Sequence, residues 1–123
     1  MLKYVSFFRY TAEAWERMVA KPENRAVAAR RLIEEVGGKM ESFYWMLGEW
    51  DGFVVYEVPS VAVASAFSGR VTSSGLIAGI RTEQLISMDE ARTALEMALG
   101  LASVYVPPGA QGEWRADYDV LGG

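Results

Sequence analysis

Gly48-Glu49-Trp50-Asp51-Gly52 joins two strand-like runs, Lys39 to Leu47 (KMESFYWML) and Phe53 to Val58 (FVVYEV), and its reading decides the fold. Asp and Gly suit a tight reversal because they tolerate left-handed or self-bonded backbone, so the stretch predicts a β-hairpin. Upstream, residues 2 to 10 (LKYVSFFRY) are rich in aromatic and β-branched types and end at Thr11, a good N-cap for a helix opening with Ala12-Glu13-Ala14-Trp15. Lys21-Pro22 interrupts that helix, and a second piece follows in which Ala29, Leu32, Ile33 and Val36 form one apolar stripe. Gly37-Gly38 closes it with a left-handed cap. Downstream, Pro59 ends the strand and Ser60 caps a helix to about Val71, with Val63, Phe67 and either Ala66 or Val71 facing inward. Ile77 to Ile86 is a fourth strand. Ser87-Met88-Asp89-Glu90 has the pattern of a capping box and starts a last helix to about Leu99. The order is βαβ, then βαβ, with an extra helix: a split-βαβ, ferredoxin-like α+β domain with a four-stranded antiparallel sheet over residues 1 to 100. Residues 101 to 123, with Pro107-Pro108-Gly109, read as a C-terminal tail or arm.

Strand residues point alternately to the two faces of a sheet, and a sheet with one wet face alternates apolar with polar. These strands do not. Tyr4, Phe8 and Tyr10 fall on one face of the first strand and Val5 and Phe7 on the other; in the second, Met40, Tyr44 and Met46 oppose Phe43, Trp45 and Leu47. Helices of a ferredoxin-like domain cover one face, so the other needs a second cover. A second copy of the chain is the simplest, predicting a homodimer or higher homo-oligomer with roughly 800 Å² buried per subunit. The alternative is one subunit whose second face is shielded by the last helix and by Tyr105, Trp114 and Tyr118 of the tail.

The composition narrows the chemistry. The 123 residues hold no cysteine and no histidine, which removes disulfides, thiolate nucleophiles, the commonest metal ligand and the commonest general base. No cofactor and no metal are expected, and no EF-hand pattern is present. A formal net charge of -4 with scattered basic residues leaves no electrostatic footprint for nucleic acid or an anionic membrane. Met1 to Val5 does not read as a secretory signal and no run reaches the roughly 18 residues a membrane span needs, so a cytoplasmic setting is expected. Gly37-Gly38 and Ser73-Ser74-Gly75 lack the spacing and lysine of a phosphate loop.

Gly48-Glu49-Trp50-Asp51, together with Gly37-Gly38-Lys39, Arg81-Thr82, Leu85-Ile86-Ser87 and Tyr105-Val106-Pro107-Pro108-Gly109, resembles the GYD family over about residues 1 to 109. The resemblance implies a dimeric ferredoxin-like α/β barrel and no established activity. Trp50 stands where the family's Gly-Tyr-Asp signature has tyrosine, and so brings no phenolic hydroxyl to that turn. By analogy of architecture alone, small barrels of this kind include cofactor-free monooxygenases and lactone isomerases. Haem-using relatives need an axial histidine, which this chain lacks.

Candidate site residues follow. Arg81, with a planar fork suited to a carboxylate or enolate oxygen, and Tyr44 or Tyr10 as a hydrogen-bond donor, would polarise a substrate. Asp51 or Glu83 would act as base, and Glu49 beside Asp51 makes a carboxylate pair that could split its pKa values. Against this, Asp51 is also an ordinary turn residue, and Arg81–Glu57 or Arg9–Glu83 would be structural ion pairs. Tyr10, Tyr44, Trp50 and Arg81 are the candidate ligand-binding residues. Phe43-Tyr44-Trp45, Trp50 and Met18, Met40 and Met46 would line an aromatic pocket or fill a core. The leading expectation is a protein that binds a small apolar or aromatic molecule between sheets or between sheet and helices. A cofactor-independent isomerase or monooxygenase is the alternative, and a purely structural or assembly role the second.

Overall fold

A computed structural model describes residues 1 to 110. The chain forms β1 (Leu2–Tyr10), α1 (Ala12–Ala20), α2 (Arg25–Glu35), β2 (Lys39–Trp45), β3 (Gly52–Val58), α3 (Val61–Ser73), β4 (Ile77–Leu85) and α4 (Met88–Gly100). Two compact units divide it, one ending at Leu85 and one beginning at Ile86.

In the first unit the sheet order is β2-β3-β1-β4, with every neighbouring pair antiparallel. This is the ferredoxin-like α+β fold that the hairpin predicted. The helix starts are set by side-chain oxygens that accept otherwise orphaned amides: Thr11 from Ala14, Asn24 from Ala26 and Ser60 from Val63. Pro22 therefore lies in the link before α2 rather than in its first turn. Gly37 and Gly75 take positive φ, +80° and +76°, where α2 and α3 end.

Alternation along β1 and β3 decides which face meets the helices. Tyr4, Ser6 and Phe8 of β1 and Val54, Tyr56 and Val58 of β3 are buried, and Ile33 of α2 with Ala64 and Phe67 of α3 packs over the sheet to complete the core. Of the two options for α3, Val71 is half-buried and Ala66 exposed. Val5, Phe7, Phe53 and Val55 point to the opposite face and are half-buried.

The second strand departs from simple parity. Between Met40 and Ser42 the register slips by one residue, so Met40 pairs with Tyr56 and Phe43 with Val54, while Tyr44 pairs with Phe53. This bulge moves Met40 to the helix-covered face alongside Phe43, where strict alternation had put it with Tyr44. The extra residue, Glu41, reaches Lys3 at 2.8 Å.

In the second unit, α4 begins at Ser87, whose Oγ accepts from the Glu90 amide at 3.1 Å. The Ser87 hydroxyl lies 3.4 Å from the Glu90 carboxylate, so only one half of the expected capping box has its amide partner. Met88, Leu95, Met97 and Leu99 are exposed. Trp114 and Tyr118 lie outside the described residues. Among the described residues no helix is long and apolar enough to cross a membrane.

Candidate functional site

Between the sheet and helices α2 and α3 lies a cavity of about 260 Å³. Its sheet wall is Ser6, Phe8, Tyr10, Phe43, Val54, Ile77 and Ile80; its helix wall is Arg25, Ala28, Ala29 and Leu32 of α2 with Phe67 and Val71 of α3. The space exists because α2 presents alanines where the facing strands present rings. Small side chains on one wall leave volume that the other cannot fill without backbone shifts. A cavity of about 150 Å³ lined by apolar side chains accepts benzene, so this one suits a one- or two-ring molecule.

The lining is apolar except at two places. On the sheet wall, Ser6 Oγ is hydrogen-bonded to Tyr56 Oη at 2.9 Å and to Thr82 Oγ1 at 2.8 Å. Burial pushes the Tyr56 phenol up, against the opposing pull of Ser6 and Thr82. The second polar place is formed by Arg25 and Tyr10. Tyr10 Oη accepts from Trp45 Nε1 at 3.1 Å, and Trp15 and Trp45 both meet the Tyr10 ring edge-on. Burial raises the Tyr10 phenol, against the Trp45 hydrogen bond and the positive charge of Arg25. A shallower groove lined by Glu23, Asn24, Arg25, Ala26, Phe43 and Trp45 abuts the cavity, sharing Arg25 and Phe43 with it.

Of the candidates read from the sequence, Tyr10 and Phe43 line this cavity. Tyr44 is 61% exposed on the opposite face and stacks on Phe53. Arg81, on that same face, donates from Nε to Glu83 Oε1 at 2.9 Å, so its partner is two residues along its own strand. Glu57 lies 3.8 Å from Lys3, and Arg9 pairs with Glu49. The anticipated Arg81–Glu57 and Arg9–Glu83 pairs are replaced by these. Tyr44, Phe53, Phe7 and Arg81 form one cross-strand row. Three strand spacings separate its ends, about 14 Å, too far for Tyr44 and Arg81 of one chain to grip the same substrate atom.

Asp51 is held in the turn. Its Oδ2 accepts from the Tyr10 amide at 2.8 Å, its own amide donates to the Phe8 carbonyl, and its carbonyl accepts from Met46. Trp50 packs against Phe7 and lies under the Arg9 guanidinium. Gly48-Glu49-Trp50-Asp51 thus ties the hairpin to the end of β1. Among the described residues, no group of three or more Asp, Glu, His or Cys is placed to hold a metal ion.

Sequence reasoning missed Ser6, Arg25, Ala28, Ala29, Ile77 and Ile80. The readable signal was the small pair Ala28-Ala29 on a helix due to pack over an aromatic strand.

A four-stranded antiparallel sheet with helices on one face is the ferredoxin-like α+β class, of which the dimeric α/β barrels are one superfamily. The chain belongs to the GYD domain family, whose model matches residues 4–95, and that family lies within this superfamily. No curated protein matches it. Among solved structures, FFRP-DM1 is 19% identical with a TM-score of 0.45, covering 70% of this chain and 100% of that one. An AsnC family transcriptional regulator from Agrobacterium tumefaciens is 18% identical with a TM-score of 0.47, covering 70% of this chain and 50% of that one. Hypothetical protein PHS023 from Pyrococcus horikoshii is 18% identical with a TM-score of 0.44, covering 71% and 92%. At such identity these likenesses say nothing of activity.

Proposed function

We propose that this GYD-family protein is a binding protein for a small apolar or aromatic molecule, held between the sheet and helices α2 and α3. One observation carries the reading: a cavity of about 260 Å³ with an almost wholly apolar lining and polar groups at only two places. Binding sites for small molecules have this make-up, mostly apolar walls with a few placed polar groups. The reading favours binding over catalysis because, of the candidate acid–base and polarising groups, Tyr10 lines that space while Asp51, Glu83, Arg81 and Tyr44 do not, which leaves it without a candidate base.

The same proposal includes self-association through the other face of the sheet, in a cytoplasmic setting. Phe7, Phe53, Val5 and Val55 form an apolar centre there, rimmed by Arg9, Arg81, Glu83, Lys3 and Glu57. An apolar centre with a charged rim is the anatomy of a specific interface.

Calorimetric titration with 2-naphthol tests the ligand reading. The wild-type protein should bind it, and Ala29→Phe from the helix wall or Ile80→Phe from the sheet wall should abolish binding while circular dichroism shows the fold retained. Binding that survives both fillings would place the ligand elsewhere and refute the reading.

A further inference from the structure

The cavity is polar at one end in a way that selects a kind of ligand. Arg25 and Tyr10 both line it, and no aspartate or glutamate does. The Arg25 guanidinium is permanently charged and offers a planar set of donors that fits a carboxylate. Its ion-pair partner is Glu23, at 3.0 Å, and both side chains are substantially exposed, at 38% and 54%. Such a pair is weak in water, so an anion held by a second donor as well can displace Glu23. Tyr10 contributes a second donor. Its oxygen already accepts from Trp45 Nε1, which leaves the phenolic proton free to donate. The Asp51 carboxylate is engaged with the Tyr10 backbone amide.

Resting on the binding reading above, we propose that the occupant is an aromatic or alicyclic carboxylate: its one- or two-ring body lies among Phe43, Val54 and Phe67, and its carboxylate meets Arg25 and Tyr10 Oη. The groove that shares Arg25 and Phe43 with the cavity gives such a molecule a route in with its charged end trailing toward water. A charged end at a partly exposed arginine keeps most of its hydration, whereas the same charge sent deeper, toward Phe67, would lose it uncompensated. Polarity at one end therefore fixes the orientation as well as the class.

Two probes of nearly equal shape, 2-naphthoate and its neutral carboxamide 2-naphthamide, test this by calorimetry on the full chain. The wild-type protein should bind naphthoate about tenfold more tightly than naphthamide, the usual gain from a charge-assisted hydrogen bond. Arg25→Gln should erase that preference by weakening naphthoate far more than naphthamide; Glu23→Gln, which removes the competing carboxylate, should strengthen naphthoate alone. Equal affinity for the two probes, unaltered by Arg25→Gln, overturns the anion inference and leaves the cavity reading standing. Failure of both probes to bind the wild-type protein at millimolar concentration overturns both.

Discussion

The Arg9 guanidinium lies 4.3 Å from the centre of the Trp50 ring, while its Nε donates to the Glu49 carbonyl at 2.8 Å. One side chain on β1 thus stacks on one residue of the β2–β3 turn and hydrogen-bonds the residue before it. With Asp51 holding the Tyr10 amide, this makes the turn part of the β1 end rather than a free loop. Arg9→Ala should cost about 1 kcal/mol through the lost cation–π contact and packing. Arg9→Lys should recover less than half, because an ammonium cannot stack and reach the carbonyl together. Urea unfolding measures both.

Two glycines of the turn region should respond oppositely to alanine. A Cβ on Gly52 would sit 2.6 Å from the Phe8 ring and 2.6 Å from the Tyr44 carbonyl, whereas one on Gly48 meets nothing within 4 Å. Gly52→Ala should destabilise by about 1–3 kcal/mol, as overpacking does, and Gly48→Ala should change little. Thermal unfolding of the pair compares them directly.

Asp51 is a test of structure against acid–base chemistry. Asn keeps an oxygen for the Tyr10 amide, so Asp51→Asn should leave stability nearly unchanged, while Asp51→Ala orphans a partly buried donor at about 1–2 kcal/mol. Neither should alter 2-naphthol affinity by more than about twofold, equivalent to a few tenths of a kcal/mol. A large loss of binding in Asp51→Asn with stability intact would give that carboxylate a functional part.

Stability should fall in alkaline solution. Tyr56 and Tyr10 both have folded-state pKa values raised above 10.0 by burial. Below that value both folded and unfolded chains keep the protons, and pH has no effect through them. As pH rises past it the unfolded chain releases its protons first, so unfolding becomes progressively favoured until the folded phenols ionise too. Urea midpoints should be level from neutral to about pH 9 and decline beyond about pH 10. Tyrosinate absorbance should show a late-titrating component that diminishes in Tyr10→Phe.

The outer sheet face carries the oligomer proposal. Phe7 lies in a row between Phe53 and Arg81, at the apolar centre of that face. Light scattering at micromolar concentration should give twice the chain mass for the wild-type protein and the chain mass for Phe7→Glu, which puts an unpaired charge there. A monomeric wild-type protein would remove this part of the account.

Much of the fold could be read in advance because its signals are local. Thr11 and Ser60 cap the helices expected of them, and parity along β1 correctly separates Tyr4 and Phe8 from Val5 and Phe7. The β2 register could not be read: nothing in Met40-Glu41-Ser42 marks a bulge, which arises from pairing with β3. The site was harder still. Side chains that suit chemistry, such as Arg81 and Tyr44, are visible by type, but a cavity is volume left empty, and Ser6, Arg25, Ala29 and Ile80 converge only after three elements pack. Trp50 looked like a pocket residue because it is large and aromatic; its stacking partner Arg9 sits 41 positions away, and only the hairpin's return to β1 brings them together.

The claim on which the account turns is that the space between the sheet and helices α2 and α3 is open to an apolar guest. Diffraction from crystals under xenon pressure tests it most directly, since xenon enters dry apolar cavities and scatters strongly. A xenon peak is expected among Leu32, Phe43, Val54 and Phe67, absent in Ala29→Phe. An interior without xenon, its side chains closed on one another, would contradict it.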